Sequence, residues 1–399
     1  MALTTPEPQP VATAPDRPDE GQFVPSPQYR RYMEHFENAN RDAKEGKLQL
    51  VPEGLWISIT ENCNFKCVGC YMEGLFKKTY LSVDELKLML DGNDAKFDYI
   101  SLTEGEAFLH PTLCEIIEYC KEHHPEAKVD LVTNGSVAIR GKYRRAISLI
   151  DSLGVSIDGA RKETYESIRR GGNFERFLAN VREIVAVQKE TGSPAAIEFS
   201  FTAMTTNIGE LPDVVRIAAD VGIKNVYVQP MEMRDQEIID RVGPYHIDNM
   251  PIEDVYRITD EARQVGRTLG VAFYGAQSLM RPRRKAPEPQ AVAAEPDLVR
   301  DGAASEMAIR MCQYFWHKPF QYVREGSRFQ VLPCCYMLKS DAAKVASRYG
   351  LDFERPRSTV EVYNSDAYWQ MRRDLVEGKL NDLCGGCRQA QTFPWKEKA

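Results

Sequence analysis

Three cysteines, Cys63, Cys67 and Cys70, stand in a Cys-x3-Cys-x2-Cys spacing at the end of a predicted β-strand. Thiolates bind soft metals, yet a structural zinc site or an electron-transfer [4Fe–4S] cluster is closed by four protein ligands. Three ligands leave one coordination position open, as catalytic metal sites do. An iron–sulfur cube held in this way has one iron available for a small molecule. A zinc knuckle or three unrelated thiols is the competing reading, and structural context has to separate the two.

Such a loop needs a scaffold. Short apolar runs separated by helical patterns indicate parallel βαβ units, and they predict strands at 55–60, 99–103, 128–133, 154–157, 196–203 and 225–229. Ser82 and Glu85 form a capping box, with Val83, Leu86 and Leu90 behind it on one face. Leu113, Ile116, Ile117 and Cys120 repeat at helical spacing, and further helices are predicted at 28–47, 174–189 and 212–221. Six units wound with right-handed crossovers give an α/β fold, a partial (β/α)6 barrel related to the TIM barrel. In parallel barrels the C-terminal strand ends build the active site. The cysteine loop follows strand one, Thr103-Glu104-Gly105-Glu106 strand two and Thr133-Asn134-Gly135 strand three, while Ser156-Ile157-Asp158-Gly159 closes strand four. Four signals therefore meet on one rim.

The run Thr60-Glu61-Asn62-Cys63-Asn64-Phe65-Lys66-Cys67-Val68-Gly69-Cys70-Tyr71 resembles the radical S-adenosylmethionine (SAM) enzymes. That resemblance implies a [4Fe–4S] cluster on Cys63, Cys67 and Cys70 whose open iron chelates SAM. Electron transfer then cleaves the sulfonium, and a 5′-deoxyadenosyl radical abstracts hydrogen from the substrate. It also implies SAM contacts from Gly105, Glu106, Asn134 and Ser156, with Glu106 pairing the methionine ammonium. Asn134 and Ser156 read equally well as a turn residue and a strand-end hydroxyl. Two departures from the family pattern stand out. Glu104 replaces the first glycine of a Gly-Gly-Glu motif, and Gly69 stands where many relatives carry an aromatic that packs on the adenine. Tyr71 is the candidate to take over that packing. His110 reads as a structural residue, and Cys114 and Cys120 as helix-packing thiols.

Composition bounds the partners. The chain has 399 residues, 43% hydrophobic and 27% charged, with a net charge of −7. That is ordinary for a soluble globular protein and lacks the basic footprint of a nucleic-acid binder. No apolar run approaches the roughly 20 residues that cross a bilayer. Residues 1–22 are polar and lack the apolar core of a secretory signal, so the expectation is a cytoplasmic protein. Its ten cysteines then read as metal ligands or core thiols rather than disulfides. The basic run from Arg140 to Arg145 reads as a solvated helix face.

Residues 281–306 read as a linker, dividing a barrel at 51–280, behind an extension at 1–50, from a small domain at 307–399. The latter is predicted to hold a β-hairpin (320–323 and 329–332) and a helix from about 364 to 378. Cys312, Cys334, Cys384 and Cys387 can close a site for zinc or a [4Fe–4S] cluster. Their arrangement resembles the twitch domain, a shorter relative of SPASM, and so implies an auxiliary [4Fe–4S] cluster. Cys335 is the odd thiol: an alternative ligand, a packed bystander or a hydrogen-atom donor. The expectation is a radical SAM dehydrogenase or epimerase acting on a sugar-like, aminocyclitol or other small natural-product substrate, reduced by a flavodoxin or ferredoxin. Peptide modification and a structural zinc protein are the alternatives.

Overall fold

The structure, a computed structural model, describes residues 27–72, 75–91, 96–231, 236–280, 308–311, 320–334, 337, 339–377, 379–380, 383 and 391–394. A helix, α1 (Pro27–Lys44), precedes a βα succession: β1 (Gly54–Ser58), α2 (Val83–Leu90), β2 (Tyr99–Thr103), α3 (Leu113–His123), β3 (Lys128–Thr133), α4 (Lys142–Leu149) and β4 (Ser152–Ser156). It continues through α5 (Lys162–Ile168), α6 (Phe174–Thr191), β5 (Ala196–Ala203), α7 (Leu211–Val221), β6 (Asn225–Pro230), α8 (Gln236–Val242), α9 (Ile252–Leu269) and β7 (Ala272–Tyr274). The C-terminal part holds β8 (Ala308–Met311), β9 (Phe320–Glu325), β10 (Arg328–Leu332), α10 (Lys339–Tyr349), β11 (Asp352–Phe353), α11 (Thr359–Tyr363), α12 (Asp366–Val376) and β12 (Gln391–Pro394).

Among the described residues, ten strands form one sheet in the order β11-β10-β9-β1-β2-β3-β4-β5-β6-β7. From β1 to β7 each strand lies parallel to its sequence neighbour. The barrel therefore has one parallel strand more than the six expected. β7 escapes sequence reading because it is three residues long and only partly buried at the sheet edge, with no apolar run to mark it. The hairpin, turning at Gly326 with φ 61°, is present as expected. Its β9 pairs parallel with β1, Trp56 opposite Gln321, and extends the same sheet.

The sheet's two faces differ chemically. Leu55, Ile57, Leu102, Leu131, Val155 and Phe199 point one way, are essentially inaccessible, and share a core with the helices between strands. Strand period two sends their neighbours to the other face: Trp56, Ser101, Asp130, Ser152, Glu198 and Tyr227. Sequential parallel strands with right-handed crossovers place all helices on one side. The polar face thus lines the inside of an open barrel.

Local chemistry explains the helices. The capping box of α2 is complete, with the Ser82 side chain accepting from Glu85 N–H and the Glu85 carboxylate accepting from Ser82 N–H. Leu113, Ile116, Ile117 and Cys120 form the buried face of α3. Ser365 caps α12, and Tyr368, Met371 and Leu375 are buried. The basic run at 140–145 begins α4, where Arg144 pairs with Glu183 and Glu190, and Arg145 with Glu118. Among the described residues no helix is long and apolar enough to cross a membrane.

Candidate active site

The cysteine loop leaves the C-terminal end of β1 and is pinned from two sides. Lys66 N–H donates to Arg170 C=O at 2.8 Å, and Val68 N–H to Ile168 C=O at 2.9 Å, so the loop is zipped to the chain leaving α5. On the other side, Glu106 N–H donates to Asn62 C=O at 2.8 Å. Gly105 makes this approach possible. Its φ is 58°, and a Cβ there would stand 2.5 Å from Asn62 O and 2.7 Å from Thr60 O.

All three thiols are half-buried, and each feels its neighbours. The charge of Cys70 acts on both Cys63 and Cys67. Burial raises Cys63, opposed in part by the Phe65 backbone donor. Burial lifts Cys67 to about 11 against the pull of the Arg169 guanidinium. Thiolates are thus costly here unless a cation takes the proton's place. Two donors aim at the sulfurs: Asn134 Nδ2 lies 3.8 Å from Cys63 Sγ, and Arg169 Nη1 lies 3.9 Å from Cys67 Sγ. Side chains that donate to ligand sulfurs are the usual outer support of an iron–sulfur cluster. Among the described residues, no three Cys, His, Asp or Glu side chains converge on one point as the ligands of a single ion would. The three loop thiols with donors on two of them are the donor set that would hold an iron–sulfur group.

Arg169 is itself held by Asp158, Nε to Oδ2 at 2.6 Å, with side-chain exposures of only 12% and 5%. Asp158 Oδ1 accepts from Thr202 N–H at 2.8 Å. Strand four, the helix after it and the cysteine loop are therefore one unit. Spacing does not reveal Arg169, since 102 positions separate it from Cys67.

The rim residues divide by role. Glu106 is fully buried and accepts from Thr133 Oγ1 at 2.6 Å, Asn134 N–H at 2.6 Å and Phe108 N–H at 3.2 Å. Burial raises its carboxyl against these three donors. In this arrangement the carboxylate braces the β2 and β3 loops to each other. Asn134 bridges Cys63 and Asn64, at 3.1 Å from Asn64 Oδ1. Ser156 ends β4, nearly buried and paired with Ser200. Tyr71 is exposed beside the loop. Gly69 has φ 76°, and a Cβ there would lie 2.6 Å from the end of the Met231 side chain, so an aromatic at this position would be strained in its backbone and would have to displace Met231.

His110 is structural, as expected. It is fully buried, its ring nitrogens meet Leu81 C=O and Thr112 N–H, and burial lowers it to about 4. Cys114 and Cys120 pack within α3. Of the second cysteine set, Cys334 is buried just after β10. Leu332 lies opposite Gln321 and so level with the middle of β1, which puts Cys334 toward the N-terminal ends of the parallel strands, away from the cysteine loop. Cys312, Cys335, Cys384 and Cys387 lie outside the described residues.

Comparison with known proteins agrees with this geometry. Residues 57–197 match the radical SAM superfamily model. A protein named probable GTP 3',8-cyclase from Methanocaldococcus jannaschii is 26% identical over 204 residues, covering 50% of this chain and 64% of that protein. One of the same name from Methanococcus maripaludis is 28% identical over 201 residues, with the same coverages. The chain thus spans less than two thirds of these relatives. Among solved structures, Streptococcus suis SuiB bound to S-adenosylmethionine superposes with TM-score 0.56 at 14% identity, over 86% of this chain and 73% of SuiB. Native anSMEcpe with bound AdoMet and Cp18Cys peptide gives 0.51 at 15% identity, over 87% and 91%. At these identities the likeness is one of fold.

Proposed function

Residues 57–197 belong to the radical SAM superfamily, and on that premise we propose that this enzyme acts on a small hydroxylated substrate, which it oxidises or epimerises. When bound, the cluster supplies the electron that splits the SAM sulfonium, and the radical released takes a hydrogen atom from the substrate. The protein's task is placement and protection. Cys63, Cys67 and Cys70 hold the cluster. Asn134 and Arg169 spread the negative charge of the sulfurs, and Gly105 lets the β2 loop lie against the cysteine loop. Ser156 and the backbone at Gly105 offer polar contacts for the amino-acid end of SAM, with Tyr71 as an aromatic near its base. The polar inner face of the barrel receives the substrate below.

The observation that carries this reading is the placement of donors on two of three clustered thiols at the C-terminal rim of a parallel barrel. Cys334, with Cys312, Cys384 and Cys387, is proposed to hold an auxiliary [4Fe–4S] cluster. The pairing of β8 with β12, Met311 opposite Gln391, supports it by joining the chain just before Cys312 to the chain just after Cys387. A flavodoxin or ferredoxin is the proposed reductant.

Anaerobic reconstitution tests the reading. Two four-iron clusters predict about eight irons per chain, and reduction with SAM is expected to release 5′-deoxyadenosine. Cys67→Ala should lose about half the iron and all of that product. A colourless, zinc-loaded protein overturns the reading. The outcome of turnover separates the finer alternatives. A product two hydrogens lighter marks oxidation, for which an auxiliary cluster on Cys312, Cys334, Cys384 and Cys387 would supply the electron acceptor. An inverted centre carrying solvent deuterium marks epimerisation, and loss of that label in Cys335→Ala assigns the hydrogen donor.

A further inference from the structure

Tyr165 lies in α5 and is fully buried, yet its hydroxyl has no hydrogen-bond partner among the described residues. An unpaired buried hydroxyl is unfavourable, and phenylalanine would fill the same space without that cost. Packing therefore accounts for the ring and not for the oxygen.

The ring is fixed beside the cysteine loop. Its centroid lies 4.9 Å from that of Phe177 and 5.3 Å from that of Phe174. Gly172 lets it approach the loop, since a Cβ there would stand 2.9 Å from Tyr165 Cε1 and 3.3 Å from Phe65 Cζ. Phe65 stands between Cys63 and Cys67, so the outer half of the tyrosine ring borders the loop that carries the thiols. One helical turn on, Arg169 N–H donates to Tyr165 C=O at 2.7 Å, and the Arg169 guanidinium reaches Cys67 Sγ at 3.9 Å. Burial raises the phenol, against the pull of Arg169 and with added pushes from Asp158, Cys67 and Glu106. The hydroxyl thus keeps its proton and can donate. Both nearby carboxylates bond other donors: Arg169 and Thr202 N–H hold Asp158, while Thr133, Asn134 and Phe108 hold Glu106. An iron–sulfur group on the three thiols adds acceptors that no side chain offers, its inorganic sulfides.

We infer that the Tyr165 hydroxyl donates a hydrogen bond to the cluster on its Cys67 side, joining Asn134 and Arg169 as a third donor. The inference rests on the radical SAM reading and adds a residue that tunes the cluster. Donors to cluster sulfurs stabilise the reduced form, which carries one more negative charge, and so raise the reduction potential. The test is Tyr165→Phe in the full chain, reconstituted anaerobically. An EPR-monitored redox titration without SAM should find its SAM-binding cluster, recognised by the change in signal when SAM is then added, at a lower potential than in the parent. Iron content and calorimetric affinity for SAM should be unchanged. Iron-free, the variant should melt no lower than the parent, because the hydroxyl removed has no protein partner. An unchanged or raised potential overturns the inference. So does a lower melting temperature of the iron-free variant, which would show a hydroxyl bonded to water or protein. Weaker SAM binding at an unchanged potential overturns it as well, and gives the hydroxyl to SAM instead. Iron uptake and 5′-deoxyadenosine release by the parent are read separately. If both persist while the variant keeps the parent's potential, only the role of Tyr165 falls; a parent that takes up no iron removes the radical SAM reading and this inference with it.

Discussion

Arg169 shows how much of this site depends on single buried groups. Its guanidinium lies between a thiol and the Asp158 carboxylate, almost out of water. Removing one partner of a buried ion pair strands the other charge, which costs about 3–5 kcal/mol. Arg169→Ala should therefore lower the unfolding midpoint of the iron-free protein by that order. Adding Asp158→Asn should recover part of the loss, since the amide oxygen still accepts from Thr202 N–H. In the reconstituted protein the same Arg169 variant takes a positive charge from beside a cluster ligand, so the reduction potential should fall. An unchanged midpoint in denaturant melts, or a raised potential in an EPR-monitored redox titration, contradicts this account.

At the scale of elements, the rim is assembled from loops whose close approach requires a missing side chain. Gly105→Ala combines a φ of 58° with a Cβ 2.5 Å and 2.7 Å from two backbone oxygens, neither of which can swing aside like a side chain. Overpacking plus left-handed strain costs about 2–4 kcal/mol. Iron incorporation should drop together with the melting temperature, and a variant that loads iron normally refutes the packing argument. The sequence makes such loops visible because glycines and cysteines punctuate strand ends. Helix faces are equally visible, as the capping box at Ser82 and the buried row of α3 illustrate. Pairings over long separations are not. The three-residue β7 carries no periodicity, Arg169 reaches Cys67 across three strands and four helices, and the donors that Thr133 and Asn134 supply to Glu106 come from the end of the next strand. A carboxylate's type can be read in one dimension, but its partners depend on the fold.

For the molecule as a whole, the division between core and site predicts what iron removal does. The continuous core joins strands and helices through residues such as Leu55, Ile100, Val129 and Phe199, and none of the three clustered cysteines belongs to it. Between Glu61 and Thr79 the described residues form no helix or strand, and backbone bonds with thiol contacts tie the loop down. A ligand that binds only the ordered loop stabilises that loop by mass action, whereas the barrel has its own apolar burial. Chelation should therefore release the loop and spare the barrel, a local opening rather than global unfolding. Lys66, Lys77 and Lys78 are exposed within the loop, so limited trypsin digestion of iron-free protein should cut after them first, while far-UV circular dichroism stays within a few per cent of the loaded form. Loading iron and SAM should suppress those cuts by an order of magnitude or more in rate. Loss of the circular dichroism signal in step with iron would mean that the cluster holds the barrel as well as the loop, and the separation of site from scaffold argued from the two sheet faces would fail.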